Sequence, residues 1–335
     1  MVSPRTSIND LVTELLDRRY ERAAREVLRV IALRITSGLI AQRLQELEDE
    51  ARRLNDEGNR LLPDNPVIRA LIADLDPVLR RSGQDIANAS PALQRLGVQS
   101  ANVLTERLTF GGLSGQTLGA IGERWNRADP ETVNALVGYV NSDAWRSEVG
   151  AYGTRVLDTV QNQAIRGIVE GWNPLKTAEI ISEMTQALPA SAANTTMRTL
   201  YIQSYRRGSQ VYQRANADIL EGQVRVAALD ARTCLACVAL HGTRLGVGEA
   251  IHDHHNGRCV GVPYVRGAER QVRSGEDWFN GLPESQQLQM AGPGKLELLR
   301  TGQATLRDFV QTYRDPVYDA MISEASIKGL LARRG

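Results

Sequence analysis

The sequence predicts a mainly helical protein in which long N-terminal helices are followed by a small α+β domain. Charged residues make up 24% of the 335 residues and aromatic residues only 5%, a balance that favours helices over a β-sandwich. Apolar residues in the N-terminal part recur three, four and seven positions apart, the spacing of one helix face. All three cysteines and all four histidines lie within residues 234–259. This concentration indicates a specialised small domain in the second half of the chain.

Composition excludes several classes of protein. The formal net charge is +1, so the chain as a whole has no electrostatic attraction to nucleic acid or to a membrane surface. No run of about 18 apolar residues is present, and we therefore expect no membrane span and no contact with a membrane. Three cysteines are an odd number, which argues against a disulfide framework and favours synthesis in a reducing cytosol.

The chain is long enough for about two domains of ordinary size. We predict four regions along it: an N-terminal helical arm for assembly over 1–129, a helical region over 130–220, an α+β domain over 221–312 and a C-terminal tail helix over 313–335.

The first 61 residues predict one long helical run with an N-cap at Ser7–Asn9. Two interpretations of this run are open. It is either an arm that packs against a partner helix in an assembly, or a hairpin folded back on its own chain with a break at Ser37-Gly38. The run ends at the Pro63 and Pro66 pair, because proline removes a hydrogen-bond donor and clashes with the preceding turn. The apolar face consists of Leu11, Leu15, Tyr20, Val27, Ile31, Ile35 and Leu39.

Further elements follow from periodicity and from the positions of glycine and proline. Gln223–Leu229 alternates weakly and predicts a short strand. The glycine-rich stretch 110–122 predicts a flexible connection or a close-packing turn. Ser274–Phe279 has the pattern of a capped helical turn that anchors an aromatic pair in a small core. The predicted helices after the first run cover 67–81, 90–108, 131–141, 142–170, 175–188, 192–217, 283–290 and 293–302.

The predicted helix over 192–217 carries arginines interleaved with tyrosines. One interpretation is a DNA contact in which arginines bind phosphates and tyrosines stack on bases. The other is an amphipathic helix with a solvated basic face and buried tyrosines. The residues concerned are Arg198, Arg206, Arg207 and Arg214 with Tyr201, Tyr205 and Tyr212.

The cysteine- and histidine-rich segment predicts a zinc site. A C-x-x-C pair lets two thiolates bind one tetrahedral ion, and H-x-x-x-x-C supplies an imidazole and a third thiolate. We expect one structural zinc per chain, and we expect His241 and His252 not to bind it. The alternative is three reduced cysteines in a polar loop that binds nothing. The expected ligands are Cys234, Cys237, Cys259 and either His254 or His255.

A longer pattern surrounds these ligands: D-x-R-T-C-x-x-C-x-x-L-H-G, then H-H-N-x-R-C-x-x-x-P. It resembles the signature of the phage head morphogenesis family, minor capsid proteins similar to the F protein of Mu-like phages. The usual ending of the family, H-x-N-C-R-C, makes His254 the matching histidine. Gly257 departs from that ending, because the family commonly has another cysteine there, and His255 therefore stays a candidate. The resemblance extends more loosely over residues 155–312.

The resemblance implies a structural minor head protein of a tailed phage or prophage, with a small Mu F-like domain stapled by zinc. Its expected partners are the portal protein and the major capsid protein, with double-stranded DNA as a further expected contact. Multiple copies would lie in the phage head at or near the portal vertex, after assembly in the host cytoplasm.

We expect no enzyme activity, because three thiolates and an imidazole leave no open metal position. The alternative is an HNH-like metal-dependent nuclease, or another phage DNA-processing enzyme, that begins at Asp253-His254. That site would be incomplete, because no histidine follows His255.

Overall fold

A computed structural model of the chain describes residue 8 and residues 12–111, 113, 115–268 and 272–333. The chain forms two compact units. The cysteine unit is drawn from residues 1–19, 94–139 and 199–335, and the helical unit comprises residues 20–93 and 140–198. The predicted domain limits at residues 129, 220 and 312 remain predictions, because a domain is defined by independent folding.

The protein is mainly helical with small sheets towards its C-terminus, as the sequence predicted. No helix in the described part of the chain has both the length and the apolar character needed to cross a membrane. The helices are α1 (Arg18–Thr36), α2 (Gly38–Asp56), α3 (Pro66–Phe110), α4 (Gly115–Arg124), α5 (Pro130–Val137), α6 (Asp143–Gly150), α7 (Tyr152–Val169), α8 (Pro174–Arg214), α9 (Leu235–Leu240), α10 (Gly275–Asn280), α11 (Glu284–Arg300) and α12 (Ile327–Ala332). The strands are β1 (Leu220–Val226), β2 (Arg244–Leu245), β3 (Val260–Val265), β4 (Val310–Asp315) and β5 (Asp319–Glu324).

Helices α1 and α2 bury their apolar faces within the helical unit. The predicted break is present, since α1 ends at Thr36 and Gly38 adopts a left-handed φ of 63°. Arg34 pairs with Asp85, and Arg43 Nε lies 2.6 Å from Asp74 Oδ2, so both helices lie against α3 of the same chain. Of the two interpretations, the chain therefore folds back on itself. The buried side chains are Tyr20, Ala24, Ile31 and Ile35 on α1, then Ile40, Leu44, Leu47, Ala51 and Leu54 on α2.

Leu39 departs from the predicted face, because it follows the break and is exposed. A π-helical turn (Thr13–Asp17) leads into α1. The predicted N-cap residues Ser7 and Asn9 lie outside the described residues.

The two helices predicted over 67–81 and 90–108 are one continuous helix, α3, which runs through Pro77 and Pro91. Likewise α8 runs through Pro189. A proline inside a helix removes one hydrogen bond, but burial of Leu75, Leu79 and other apolar side chains in the core keeps α3 helical. Tertiary packing here outweighs the local signal.

Within the cysteine unit, α3 and α8 approach each other closely. A Cβ at Gly97 would lie 2.5 Å from the carbonyl oxygen of Tyr201, so only glycine fits there. The Ser100 and Tyr201 hydroxyls are hydrogen-bonded at 2.9 Å, and Thr105 bonds Ser209 at 3.0 Å.

The three-stranded sheet has the order β2-β1-β3, with β1 antiparallel to both neighbours. Val224 on β1 pairs with Arg244 on β2 and with Val262 on β3. The predicted strand over 223–229 is thus confirmed, although it begins and ends three residues earlier. Strand β1 leads towards α9, and β3 begins directly after Cys259.

The predicted tail helix over 313–335 is wrong in its first half. Strands β4 and β5 form an antiparallel hairpin there, and only Ile327–Ala332 is helical. The Asp315 side chain accepts hydrogen bonds from the backbone N–H groups of Val317 (2.8 Å) and Tyr318 (3.0 Å). This Asx turn, followed by Asp319 at a φ of 65°, reverses the chain.

Two smaller predictions have different outcomes. The glycine-rich stretch predicted as a connection is partly helical, since α4 begins at Gly115. The capped turn is confirmed: the Ser274 hydroxyl accepts a hydrogen bond from Asp277 N at 3.0 Å, and Phe279 is buried in a core cluster with Leu235, Val238 and Phe309.

Candidate metal centre

The first two candidate ligands are positioned by the short helix α9. Cys234 is its N-cap residue in an extended conformation, and Cys237 lies in its first turn. The backbone N–H of Cys237 donates to Cys234 Sγ at 3.4 Å. The two-residue spacing therefore brings both thiols to one side of the helix start, as the C-x-x-C pattern predicted.

The third cysteine and a histidine come from the loop that precedes β3. Ligand atoms of Cys234, Cys237 and His254 lie within 4.8 Å of one another, and so do those of Cys237, Asp253 and Cys259. The two groups share Cys237. These five side chains are close enough together to hold a metal ion.

The other histidines have different surroundings. His255 Nε2 lies 3.0 Å from Asp315 Oδ2, and the residue belongs to neither group of close ligand atoms in the described chain. His252 is exposed, and its Nδ1 lies 2.8 Å from Ala320 O. His241 is buried and accepts a hydrogen bond from Ala227 N at 2.9 Å, while burial lowers its pKa. Of the two open candidates, the geometry brings only His254 to the cysteines.

Asp253 is the member of the cluster that the sequence did not assign to a metal. Its residue is 0% exposed, and its carboxylate accepts hydrogen bonds from Arg206 Nη2 (2.5 Å), Cys259 N (3.0 Å), His254 N (3.0 Å) and Cys237 Sγ (3.2 Å). Burial alone would raise the pKa of Asp253, but Arg206 and Arg225 lower it below its usual range. The carboxylate is therefore ionised in the interior. The sequence signal that could have placed Asp253 in the cluster was its position directly before the candidate ligand His254.

Arg206 holds the same loop from the side of α8. Its Nε donates to Cys259 O at 3.0 Å, and its Nη2 donates to Gly257 O at 3.2 Å as well as to Asp253. The residue is only 4% exposed. The expectation of a solvated basic face is therefore wrong for Arg206, which instead neutralises a buried carboxylate.

The tyrosines of α8 are also buried, as one of the two interpretations of this helix predicted. Tyr201, Tyr205 and Tyr212 are each 2% exposed or less. Base stacking needs an accessible ring face, so these side chains do not offer the DNA contact that the other interpretation required.

Arg225 on β1 is the second buried guanidinium. Its Nη1 donates to His252 O, while its Nη2 lies 3.6 Å from Asp253 Oδ1 and 3.9 Å from Cys237 Sγ. Burial opposes its charge, but the Cys259 thiol group and Asp253 raise the pKa of Arg225. Arg206 from α8 and Arg225 from β1 thus place two positive charges next to the cysteine cluster.

The pKa values of the cysteine thiols are shifted in different directions. Hydrogen bonding from Cys237 and the neighbouring His254 lower the pKa of Cys234 to about 5. Burial opposes a charge on His254, yet Cys234 and Asp253 raise its pKa to about 9. Contact with the thiols of Cys234 and Cys259, together with burial, raises the pKa of Cys237. These shifts favour the thiolate form of Cys234 beside His254, and thiolates are the form of cysteine that binds metal ions.

Gly257 leaves room for this arrangement. A Cβ at position 257 would collide with the Asp253 carboxylate. The departure from the head-morphogenesis pattern at Gly257 thus coincides with the buried carboxylate, because a cysteine and this conformation of Asp253 do not fit together.

Ion pairs and hydrogen bonds outside the cluster hold in place the segments that carry Cys234 and Cys259. Arg258 donates to both carboxylate oxygens of Asp230 at 2.6 and 2.7 Å. Glu324 on β5 accepts from the backbone N–H of Leu235 at 2.7 Å, next to Cys234. The start of α9 is therefore tied both to the residue before Cys259 and to the C-terminal hairpin.

The fold and the cluster define a class: a mainly helical protein with a buried Cys/His/Asp group that can hold a metal ion. No family model, curated protein or solved structure matches the chain. Membership of a particular family therefore rests on the sequence motif and stays a proposal.

Proposed function

We propose that this chain is a structural minor head protein of a tailed phage or prophage, and that one structural zinc ion holds together its small domain. The observation that carries the proposal is the convergence of Cys234, Cys237, His254 and Cys259 from the start of α9 and from the loop before β3. These are the residues that the head-morphogenesis motif contributes.

Zinc is the ion that the donor set favours. Soft thiolates select zinc, copper(I) or iron–sulfur groups, whereas three thiolates with one imidazole are a common structural zinc set. We assign Cys234, Cys237, His254 and Cys259 as the ligands. Asp253 lies outside this set in our proposal, because both of its oxygens already accept hydrogen bonds from other groups.

The proposed role of the ion is mechanical. The loop from Gly246 to Cys259 contains no helix or strand, and it includes three glycines, one aspartate and one asparagine. Burial of apolar surface is a weak source of order for such a loop. Zinc binding supplies on the order of 10 kcal/mol to small metal-stabilised folds, enough to order this one.

The proposed assembly role rests on the resemblance of the motif to the head-morphogenesis family. Asp230 and Arg258, two positions of the motif that lie 28 residues apart, form a two-pronged ion pair. This pairing supports the motif as one folded element. The proposed partners are the portal and the major capsid protein, in a particle that holds several copies, with packaged DNA as a further contact.

We propose a binding protein and not an enzyme. A catalytic zinc keeps an open position, which four protein ligands do not leave. The nuclease alternative requires Asp253 and His254 to approach a substrate. Asp253 is fully buried and paired with Arg206, which counts against that alternative.

Metal analysis tests the zinc site first. The purified full chain should contain about one zinc per chain, and Cys259→Ser should lose it, with His255→Asn as a matched control that keeps it. Zinc-free wild-type protein would contradict the site. A second, labile magnesium or manganese ion that is retained in Cys259→Ser would support the nuclease alternative.

Particle analysis tests the assembly role separately. Tailed-phage particles from the host that carries this gene should contain several copies of the chain per particle, as measured by quantitative peptide mass spectrometry. Cross-linking should join it to the portal or the major capsid protein. A chain that is absent from particles at every stage of assembly would contradict the head-protein proposal while leaving the zinc site untouched.

A further inference from the structure

Arg225 has a buried donor that no acceptor satisfies. Its side chain is 5% exposed, Nη1 donates to His252 O, and Nη2 faces Asp253 and Cys237. Its Nε has no hydrogen-bond partner among the described residues. An unsatisfied buried donor on a charged group is costly, so its retention here calls for a physical reason.

Arg206 offers a useful contrast. All of its contacts are with oxygen atoms: the carbonyl groups of Gly257 and Cys259 and the Asp253 carboxylate. It is satisfied without any metal. Arg225 approaches sulfur as well as oxygen, and it retains one unused donor.

The charges of the cluster suggest what Arg225 neutralises. Two guanidiniums and the Asp253 carboxylate leave one positive charge in a buried space. A divalent ion on three thiolates and a neutral imidazole has one negative charge. The two groups together are neutral, and a neutral assembly avoids the large penalty for an uncompensated buried charge.

We propose that Arg225 is the counter-ion of the metal-bound thiolates, and that its positive charge lets the site bind a divalent ion through three sulfurs at once. This inference rests on the proposed metal site. Arg225 acts through the ligands and touches no metal itself, so it is a positioning residue. Its planar guanidinium has five donors, which allows it to serve His252 O, Asp253 and a sulfur together.

Removal of the charge should have two measurable effects. Without Arg225, three thiolates and Asp253 would place an excess negative charge in the interior, so one thiol should keep its proton. Metal affinity should fall about ten- to a hundredfold, as is usual when a residue that supports metal ligands is lost. The thiolate-to-cobalt charge-transfer band should also weaken, because fewer sulfurs bind each ion.

The test uses the full chain with Co²⁺ and Zn²⁺ titrated against a chromophoric chelator. Arg225→Met and Arg225→Gln remove the charge, Arg225→Lys keeps it, and Arg314→Met removes an arginine that is 87% exposed and paired with Asp319. We expect weaker binding and a smaller band per bound cobalt for Met and Gln, near-complete recovery for Lys, and no change for Arg314→Met. Helix content by circular dichroism reports whether each variant folds.

The outcomes separate the two proposals. If wild type binds no metal, both the metal site and the role of Arg225 are overturned. If wild type binds tightly and Arg225→Gln binds equally tightly with the same band, the role of Arg225 alone is overturned. Equal losses in the Lys, Gln and Met variants would assign the effect to shape and would also contradict a counter-ion.

Discussion

The core of the helical unit and the loop of the cysteine unit that carries the candidate metal ligands are stabilised in opposite ways. In the helical unit, fully buried side chains such as Ile31, Leu71, Leu75 and Tyr152 are large and apolar or aromatic. The loop before β3 instead buries the Asp253 carboxylate, which pairs with the buried guanidiniums of Arg206 and Arg225. Apolar burial needs no cofactor, whereas a buried ionic cluster is stable only when its charges balance. The two regions should therefore respond differently to the same perturbations.

The largest effect should come from Cys237, because it belongs to both groups of close ligand atoms. Cys237→Ser should abolish tight metal binding, a loss on the order of 10 kcal/mol of binding free energy. Hydrogen exchange should then rise over residues 246–259 and stay unchanged over α1 and α2. His255→Asn is the control, and it should keep both the metal and the protection. Equal loss of protection over residues 246–259 and over α1 and α2 would contradict the prediction that the two regions are stabilised differently.

Asp253→Asn should be the next most damaging change. It leaves Arg206 and Arg225 without their carboxylate, and breaking a buried pair in this way costs about 3–5 kcal/mol. Urea unfolding measures this loss. Asp143→Asn serves as the matched control, because the Asp143 side chain is 97% exposed and its removal should cause no measurable change.

Leu75→Ala probes the apolar side of the comparison. Leu75 is 0% exposed, and truncation of a buried leucine costs about 2–5 kcal/mol through lost apolar contact and a residual cavity. Zinc content and cobalt spectra should not change, since every ligand candidate lies in the cysteine unit. A variant that loses stability and metal together would show that the two regions unfold as one.

The smallest effect should come from Asp230→Asn, which removes the ion pair with Arg258. Arg258 lowers the pKa of Asp230 below its usual range, so the pair stabilises the fold above the unfolded-state pKa of about 3.9. The Asp230 side chain is 39% exposed, and the loss at pH 7 should therefore be less than about 1 kcal/mol.

The pH dependence gives this last prediction its sign. As the pH falls below about 4, Asp230 takes up a proton in the unfolded state while Arg258 keeps the folded carboxylate ionised, so the difference in unfolding free energy between wild type and Asp230→Asn should shrink progressively. A difference that stays constant from pH 7 to pH 3 would argue that the asparagine acts through packing and not through charge.

The sequence predicted the local parts of the candidate metal centre well. Cys234 and Cys237 are three positions apart on one short helix, so their proximity is fixed by local geometry. Spacing to Cys259 did not separate His254 from His255, because the two residues are neighbours, and only the family resemblance favoured His254. His255 Nε2 lies 3.0 Å from Asp315 Oδ2 instead, a contact between residues 60 positions apart that no local pattern predicts.

Long-range electrostatics hid the role of Asp253. Its carboxylate is stabilised by Arg206, 47 positions earlier, and by Arg225, and no local pattern relates the three. The break predicted between residues 81 and 90 is absent, because core packing keeps α3 continuous from Pro66 to Phe110. In the tail, Asp315-Pro316 was a turn signal for the β4–β5 hairpin that the helical prediction overlooked.

The close fit between Gly257 and Asp253 has a consequence for how such chains can diverge. A mutation to cysteine at 257 would be rejected while the aspartate carboxylate occupies that space. Replacement of Asp253 alone would leave two arginines without a counter-charge. Neither single change should be neutral for stability, so a cysteine at position 257 requires a change at Asp253 as well. The two positions should change together in descent, and Gly257→Cys should be tolerated only beside a smaller residue at 253.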